Sequence, residues 1–369
     1  VKQEYAPKRP FYLQIYQELL AQINQGTYPP GSKLPSEKEL AEAYNVSRIT
    51  SKKAMDTLAA DGVISRTPGR GTFVLERPEA PQTPPSVPGN RLIGVIMEKF
   101  SSSFGGGLIL GIEQECARRG YVMALRCTYH SKKAEVTAIS QLLQLGAAGL
   151  IIMCVYDETY NPSILKLSLD NFPVVLVDRE MSGIPLPCVT TDNHNAARRL
   201  TDFLFDQGHQ RLTFVTAGHS FNTSTIKERA QGFAESCLEH GFLTDRGDWI
   251  TNLSNVDRIP APKEAQQKAQ ADREALKRYM EKHPQITGYL AASYDVGYLV
   301  QWAARQCADG ISRQVVCFDA PEDIFWPEPL VHIRQNQEEI GRTAVDQLLE
   351  RIQGKALSGM TYIDYQFIK

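Results

Sequence analysis

Hydrophobic positions along this chain change their spacing twice, and each change marks a boundary. Between Phe11 and Gln25, Leu13, Tyr16, Leu20 and Ile23 recur at helical intervals until Gly26 stops the run, which predicts a first helix with one apolar face. Tyr28-Pro29-Pro30-Gly31 turns the chain. Ser36 with Glu39 three residues on then forms a capping box for a second helix that turns Leu40, Ala41 and Tyr44 inward. Ser47 caps a third helix. On it Ser51, Ala54, Met55 and Leu58 share one face, while Ile49, Lys52, Lys53 and Asp56 project from the other beside Arg48. After Gly62, Val63-Ile64-Ser65-Arg66 and Gly71-Thr72-Phe73-Val74 alternate on either side of Thr67-Pro68-Gly69-Arg70, which is hairpin chemistry with a basic tip.

Three helices followed by a hairpin predict a winged helix-turn-helix over residues 1–76, and its expected partner is double-stranded DNA. Residues 77–90 hold five prolines and almost nothing to bury, so they read as an extended linker. From Arg91 the rhythm becomes β-α-β: strands at 92–97, 121–127, 149–153 and 174–177 alternate with helices ending at Gly120 and Gly146, and the pattern restarts after Cys188–Thr191 with strands at 212–216, 288–292 and 315–318. The expected fold class is α/β in the majority: the winged helix plus two lobes, each a doubly wound parallel sheet. The first lobe spans about 91–192 and 336–360, the second about 193–335 and 361–369. Any ligand belongs at the carboxyl ends of the strands, between the lobes.

With 369 residues and 42% apolar content the chain can bury two or three cores. No run approaches a membrane span, and Val1-Lys2-Gln3-Glu4-Tyr5 has no apolar signal-peptide core, so a cytoplasmic location is expected. Seven scattered cysteines without CxxC spacing read as reduced core residues. No metal, no cofactor and no catalytic residue is expected. His209 in Gly208-His209-Gln210-Arg211 sits at a helix end and is read as structural. The net charge of −2 hides an asymmetry: residues 1–78 hold 11 Lys+Arg against 8 Asp+Glu, the remainder 29 against 34. That places the basic excess with the helix-turn-helix.

The motifs Leu34-Pro35-Ser36-Glu37, Val46-Ser47-Arg48 and Gly69-Arg70-Gly71-Thr72-Phe73 make residues 10–75 resemble the DNA-binding domain of GntR-family bacterial transcription regulators. The resemblance implies DNA contacts from Lys38, from Arg48, Ile49, Thr50 and Lys52 on the third helix, and from Gly69 and Arg70 in the wing; Ser47 and Lys53 complete the expected set. Arginine suits guanine, isoleucine a thymine methyl, lysine a phosphate. Two positions depart from the common form, Ile49 where a polar residue often stands and Ser51 where an apolar one does. The second departure predicts slightly weaker packing under the recognition helix.

Val177-Asp178-Arg179, Thr191-Asp192-Asn193, Arg229-Ala230-Gln231-Gly232-Phe233, Ala292-Ser293-Tyr294-Asp295, Cys317-Phe318-Asp319 and His332-Ile333-Arg334-Gln335 stand in the order of the LacI/GalR-type effector domain. Nearly all of 91–369 resembles that domain, itself similar to periplasmic sugar-binding proteins. The combination with a GntR head is similar to arabinose-responsive repressors of this chimeric type. By position, Asp178, Arg229, Asp319 and Gln335 would face a ligand, with Phe104, Tyr129, Tyr294 and Trp326 as candidates for an aromatic face on a sugar ring. A guanidinium with carboxylates supplies the donors and acceptors a polyol needs. The resemblance implies a ligand-responsive repressor of carbohydrate-utilisation genes, a homodimer on a pseudo-palindromic operator, released when a sugar closes the cleft. A free sugar-binding protein and a regulator using a non-sugar corepressor are the alternatives. A fused aminotransferase-like enzyme would need a much longer chain and a Schiff-base lysine.

Overall fold

Capping and burial build the first unit as its pattern requires. The structure is a computed structural model and describes residues 11–75, 91–155, 161–321 and 330–369, apart from residues 25, 61, 62, 68, 69, 100, 102, 182, 219 and 255–261. The expected linker, Gly69 and Trp326 lie outside the described residues. The chain separates into two units, Val1–Pro88 and Gly89–Lys369.

In the first unit α1 (Phe11–Asn24), α2 (Glu37–Ala43) and α3 (Arg48–Ala60) precede the hairpin of β1 (Ile64–Thr67) and β2 (Gly71–Val74). The Glu39 N–H donates to Ser36 Oγ at 3.3 Å and the Ser36 N–H to the Glu39 carboxylate at 2.7 Å, so both orphan donors at the start of α2 are satisfied. Ala54, Met55 and Leu58 are fully buried against Ile15, Leu19, Leu34 and Leu40. The wing pairs antiparallel from Ile64 opposite Val74 to Thr67 opposite Gly71. Residues 32–34 extend it, the Val74 N–H donating to Ser32 O and the Leu34 N–H to Thr72 O, both at 2.9 Å. Ser51 corrects an expectation. It is fully buried and its hydroxyl donates to Glu37 O at 2.8 Å, so it ties α3 to the start of α2 where weaker packing was expected.

In the second unit, β3 (Leu92–Met97), α4 (Gly106–Arg118), β4 (Val122–Cys127), α5 (Lys132–Gln144), β5 (Gly149–Ile152), α6 (Pro162–Leu169), β6 (Val174–Val177) and β7 (Pro187–Thr191) form the first lobe. The chain then builds α7 (Asn193–Asp206), β8 (Leu212–Ala217), α8 (Ser224–Glu239), β9 (Ile250–Leu253), α9 (Pro262–Lys282), β10 (Gly288–Ala291), α10 (Tyr294–Gln306), β11 (Gln314–Phe318) and β12 (Val331–Gln335) as the second lobe. It returns through α11 (Gln337–Ile352) and β13 (Gly359–Ile363) to the first lobe and ends in the second with β14 (Tyr365–Ile368). The sheet orders are β13-β7-β6-β5-β3-β4 and β14-β12-β11-β10-β8-β9. Both faces of each sheet are covered: one apolar cluster joins the first sheet to α4 and α11, another to α5 and α6, and in the second lobe α7 and α8 cover one face, α9 and α10 the other.

Two features differ from the expected pattern. The second sheet is not wholly parallel, because β14 pairs antiparallel with β12 at its edge. The last passage between lobes falls at Asp364, a little beyond the expected residue 360, since β13 stays with the first sheet to Ile363. The strongest helix contacts use glycine. A Cβ on Gly111 would lie 2.2 Å from Glu338 O where α4 crosses α11, and one on Gly232 would lie 2.2 Å from His194 O where α8 crosses α7. Backbone approaches this close exclude any side chain.

Candidate functional site

The first unit gathers its cations on one side. Arg48 at the start of α3, Lys38 in α2 and Arg70 beside the wing line one open concave surface, together with Lys33 and Thr72. Arg48, Lys52 and Arg70 are exposed and have no acidic partner among the described residues. Lys38 meets Glu42 at 3.8 Å with both side chains 67% exposed, a pair too solvated to withhold it from a phosphate. Lys53 leans on the Tyr12 ring at 4.1 Å. The Ser47 hydroxyl accepts the Thr50 N–H at 3.2 Å and bonds the Thr50 hydroxyl at 2.8 Å, so both oxygens cap the helix start. Arg66, which composition alone would count as basic surface, is neutralised by Asp56 at 2.8 Å and Glu37 at 3.3 Å. Ile49 is 81% exposed in the first turn of α3, between two free cations. An isoleucine so placed gains only when something apolar covers it.

In the second unit a cavity lies where the strands of both lobes end. β6 and β11 deliver Asp178 and Asp319 to it in the same way. Each follows its strand in a left-handed conformation, φ 65° and 61°, and each N–H donates across to the next strand, Asp178 to Val189 O at 3.0 Å and Asp319 to Ile333 O at 2.8 Å. The turn aims both carboxylates inward, where they are buried. Non-glycine residues adopt this φ at a cost of about 1 kcal/mol or more. The two lobes therefore present matching acids.

Each acid has its own guanidinium. In the first lobe Arg179 meets Glu98 at 2.6 Å and Asp178 at 3.4 Å, and donates to Cys154 O and Val155 O at 3.1 and 3.2 Å. His130 abuts Glu98 from the other side. Burial pushes the Glu98 carboxyl up, but Arg179 and His130 outweigh it and hold it down at about 2. In the second lobe Arg229 donates through Nε to Asn193 Oδ1 and through Nη1 to Ala292 O, both at 2.7 Å, and lies 3.7 Å over the Phe318 ring. Nη2 forms no hydrogen bond among the described residues, and Arg229 lines the cavity. Asp319 accepts from the Gln335 amide at 2.7 Å and from the Gln335 N–H at 3.3 Å. Burial pushes the Asp319 carboxyl up to about 6 against the pull of Arg229 and Gln335, and pushes Asp178 up as well. Gln335 Oε1, with no donor, is a buried acceptor beside them.

Of the sequence-selected ligand residues, Asp178, Arg229, Asp319, Gln335 and Phe104 line this cavity together. Two do not. Tyr129 is 62% exposed and off the cavity wall. Tyr294 opens α10 and packs into the core with Val296 and Leu299, leaving Ser293 and Asp295 to face the cavity. Glu98, His130 and Arg179 follow the ends of strands, where the sequence places a ligand, but they were not among the residues assigned to it, and that they meet is a tertiary fact; Phe318 looks like one more strand residue until Arg229 is seen stacked on it. His209 is away from the cavity and bonds Thr287 at 2.9 Å and Gln314 at 3.2 Å. The cavity thus offers buried charged donors and acceptors beside the half-buried ring of Phe104, while the ring of Phe318 is taken up by the Arg229 guanidinium. That is chemistry for holding a hydroxyl-rich ligand.

Comparison with known proteins agrees with both halves. Residues 11–74 match the family described as bacterial regulatory proteins, gntR family, and residues 90–369 match periplasmic binding proteins and sugar binding domain of LacI family. The arabinose metabolism transcriptional repressor of Geobacillus stearothermophilus is 27% identical over 367 residues, covering 97% of this chain and 95% of the relative. That of Halalkalibacterium halodurans is 26% identical over 240 residues, covering 64% and 63%. Among solved structures, the transcription regulator CcpA of Lactococcus lactis superposes with a TM-score of 0.64 at 18% identity, covering 76% of this chain and 98% of that one. A complex of the transcriptional regulator CelR with cellobiose superposes with 0.62 at 16% identity, covering 91% and 99%. At these identities the superpositions establish the fold.

Proposed function

The chain belongs to the family of periplasmic binding proteins and LacI-type sugar-binding domains, headed by a GntR-type DNA-binding domain, and from that premise we propose that it is a sugar-released repressor of carbohydrate-utilisation genes. It is a ligand-responsive, DNA-binding transcription regulator and acts by binding, not as an enzyme. The observation that carries the sugar reading is the pair of buried aspartates at matching strand ends, lining one cavity with Arg229, whose Nη2 carries no hydrogen bond among the described residues. Arabinose is the first ligand to test, supported by the likeness to the two arabinose metabolism repressors.

In this reading Asp178, from the first lobe, and Arg229, Asp319 and Gln335, from the second, hold hydroxyls while Phe104 covers a C–H face and Phe318 backs the Arg229 guanidinium. A ligand bound from both lobes favours their closed arrangement by its differential contacts with it. Operator and sugar affinities are then linked reciprocally, each lowering the other by the same factor. A cytoplasmic homodimer reading a pseudo-palindromic operator through Arg48, Ile49, Thr50, Lys52 and the wing completes the proposal. Among the described residues no helix is long and apolar enough to cross a membrane. Isothermal titration of the full chain with arabinose and a panel of other monosaccharides tests the ligand class. Binding by none of them would sink it.

A further inference from the structure

A second cavity adjoins the first. It shares the walls Ser103, Phe104, Asp319 and Gln335, then continues past them between the first turns of α4 and α11 and the edge strand β14. We propose that this cavity is a second sugar subsite, and that the effector carries two linked hydroxylated rings, one on each side of Phe104. The inference rests on the sugar reading of the first cavity and narrows it to a disaccharide or glycoside.

Three observations carry it. The wall is built: Gln337 accepts the Gly105 N–H at 2.8 Å and donates to Ser103 O at 3.0 Å, so one side chain of α11 fixes the loop that separates the two spaces. The wall also needs a donor. Gln335 is 4% exposed and lines both cavities, and its Oε1 has no partner while its Nε2 is committed to Asp319 at 2.7 Å. A ligand hydroxyl would satisfy a buried acceptor that otherwise pays its full desolvation cost. Third, the lining is polar and of mixed charge. Asp319 and Glu338 put carboxylates on the wall, Arg334 a guanidinium, and Gln366, Asn336 and the backbone at Gly106 amide groups, which together supply the donors and acceptors of a hydroxylated ring. Gly106 faces open space, with nothing within 4 Å of the Cβ it lacks, so the space there is kept clear at the edge of the cavity.

That glycine supplies the test. Gly106→Leu would add a bulky side chain at the rim of the second cavity, at a residue that does not line the first, and Gln366→Ala trims its far wall on an exposed strand position. Titrations of the full chain use monosaccharides (arabinose, galactose, glucose) and disaccharides (lactose, melibiose, cellobiose, maltose, arabinobiose). The expected result is a disaccharide bound at least about tenfold more tightly than its component monosaccharide, the worth of one or two added hydrogen bonds. Gly106→Leu should erase that gain and leave the monosaccharide affinity unchanged; Gln366→Ala should reduce the gain. Monosaccharide binding with no gain from a second ring, or a gain that survives both variants, would overturn the subsite and leave the sugar reading intact. Binding of no sugar at all would overturn both.

Discussion

Asp319→Asn separates ligand recognition from fold stability, because the buried carboxyl that serves the first works against the second. Its carboxyl is raised from the ordinary 3.8 to about 6 by burial, a shift of about two units, and each unit is worth about 1.4 kcal/mol. The sign follows from where each state ionises. Below 3.8 both the folded and unfolded chains hold the proton and the group is neutral to stability. As pH rises from about 4 to about 6 the unfolded chain releases its proton and the folded chain does not, so stability falls by roughly 3 kcal/mol, then stays level. The attraction of Arg229 already lies within that shift. Asparagine has nothing to release. Gln335 can turn its amide so that the unpaired Oε1 accepts from the new side chain, which preserves the packing. The stability of the variant relative to the parent should therefore climb by about 2–3 kcal/mol between pH 4 and 6 and be flat from there to pH 8. Urea unfolding followed by tryptophan fluorescence reads this directly, since Trp249, Trp302 and Trp326 all lie in the second unit. The same variant should bind sugar about 10- to 100-fold more weakly, having lost a charged acceptor. A stability difference that does not change with pH, or that falls as pH rises, would refute the burial argument.

Arg229→Met should abolish the effector response while leaving operator affinity unchanged; a normal sugar titration would remove Arg229 from the site, whose loss is worth about 2 kcal/mol or more per charged hydrogen bond. Arg48→Ala and Arg70→Ala should each weaken operator binding and flatten its logarithmic salt dependence by about one unit, with sugar affinity intact, as gel-shift series at several salt concentrations would show. Ile49→Asn should change base preference at one position of each half-site by about 1 kcal/mol or more, measurable by selecting bound duplexes from a random library. Gly111→Val should destabilise the second unit by about 3 kcal/mol or more, because its Cβ would fall 2.2 Å from the Glu338 carbonyl; thermal unfolding unchanged by this substitution would mean that α4 and α11 do not cross so closely.

The first unit was legible nearly residue by residue, since its capping box, buried α3 face and hairpin are local signals that the tertiary fold does not have to supply. In the second unit β3, β5 and β6 announced themselves as unbroken apolar runs of a parallel sheet. Apart from α11, a 16-residue helix that was assigned to the first lobe without being read as a helix, the elements that were missed have weak local signals. α6 is eight residues long, β9 alternates over only four, and β13 and β14 are half-exposed edge strands whose pattern resembles loop. β12, His332-Ile333-Arg334-Gln335 with Val331, carries charge because its last residues turn into the cavity. The site divides on the same line. Asp178 and Asp319 could be placed because each ends a strand, whereas the meeting of Glu98, His130 and Arg179 joins three strand ends that are 81 residues apart at the widest. Tyr294 misled because a helix start can turn its side chain either to the cleft or beneath it, and here the core holds it.

The central claim is that one chain couples a sugar to an operator, and the direct measurement is fluorescence anisotropy of a labelled selected duplex bound by the full chain, titrated with each sugar that calorimetry shows to bind. The account predicts that such a sugar lowers operator affinity by about tenfold or more, and that operator lowers sugar affinity by the same factor. An operator affinity unchanged by every sugar the protein binds would contradict it.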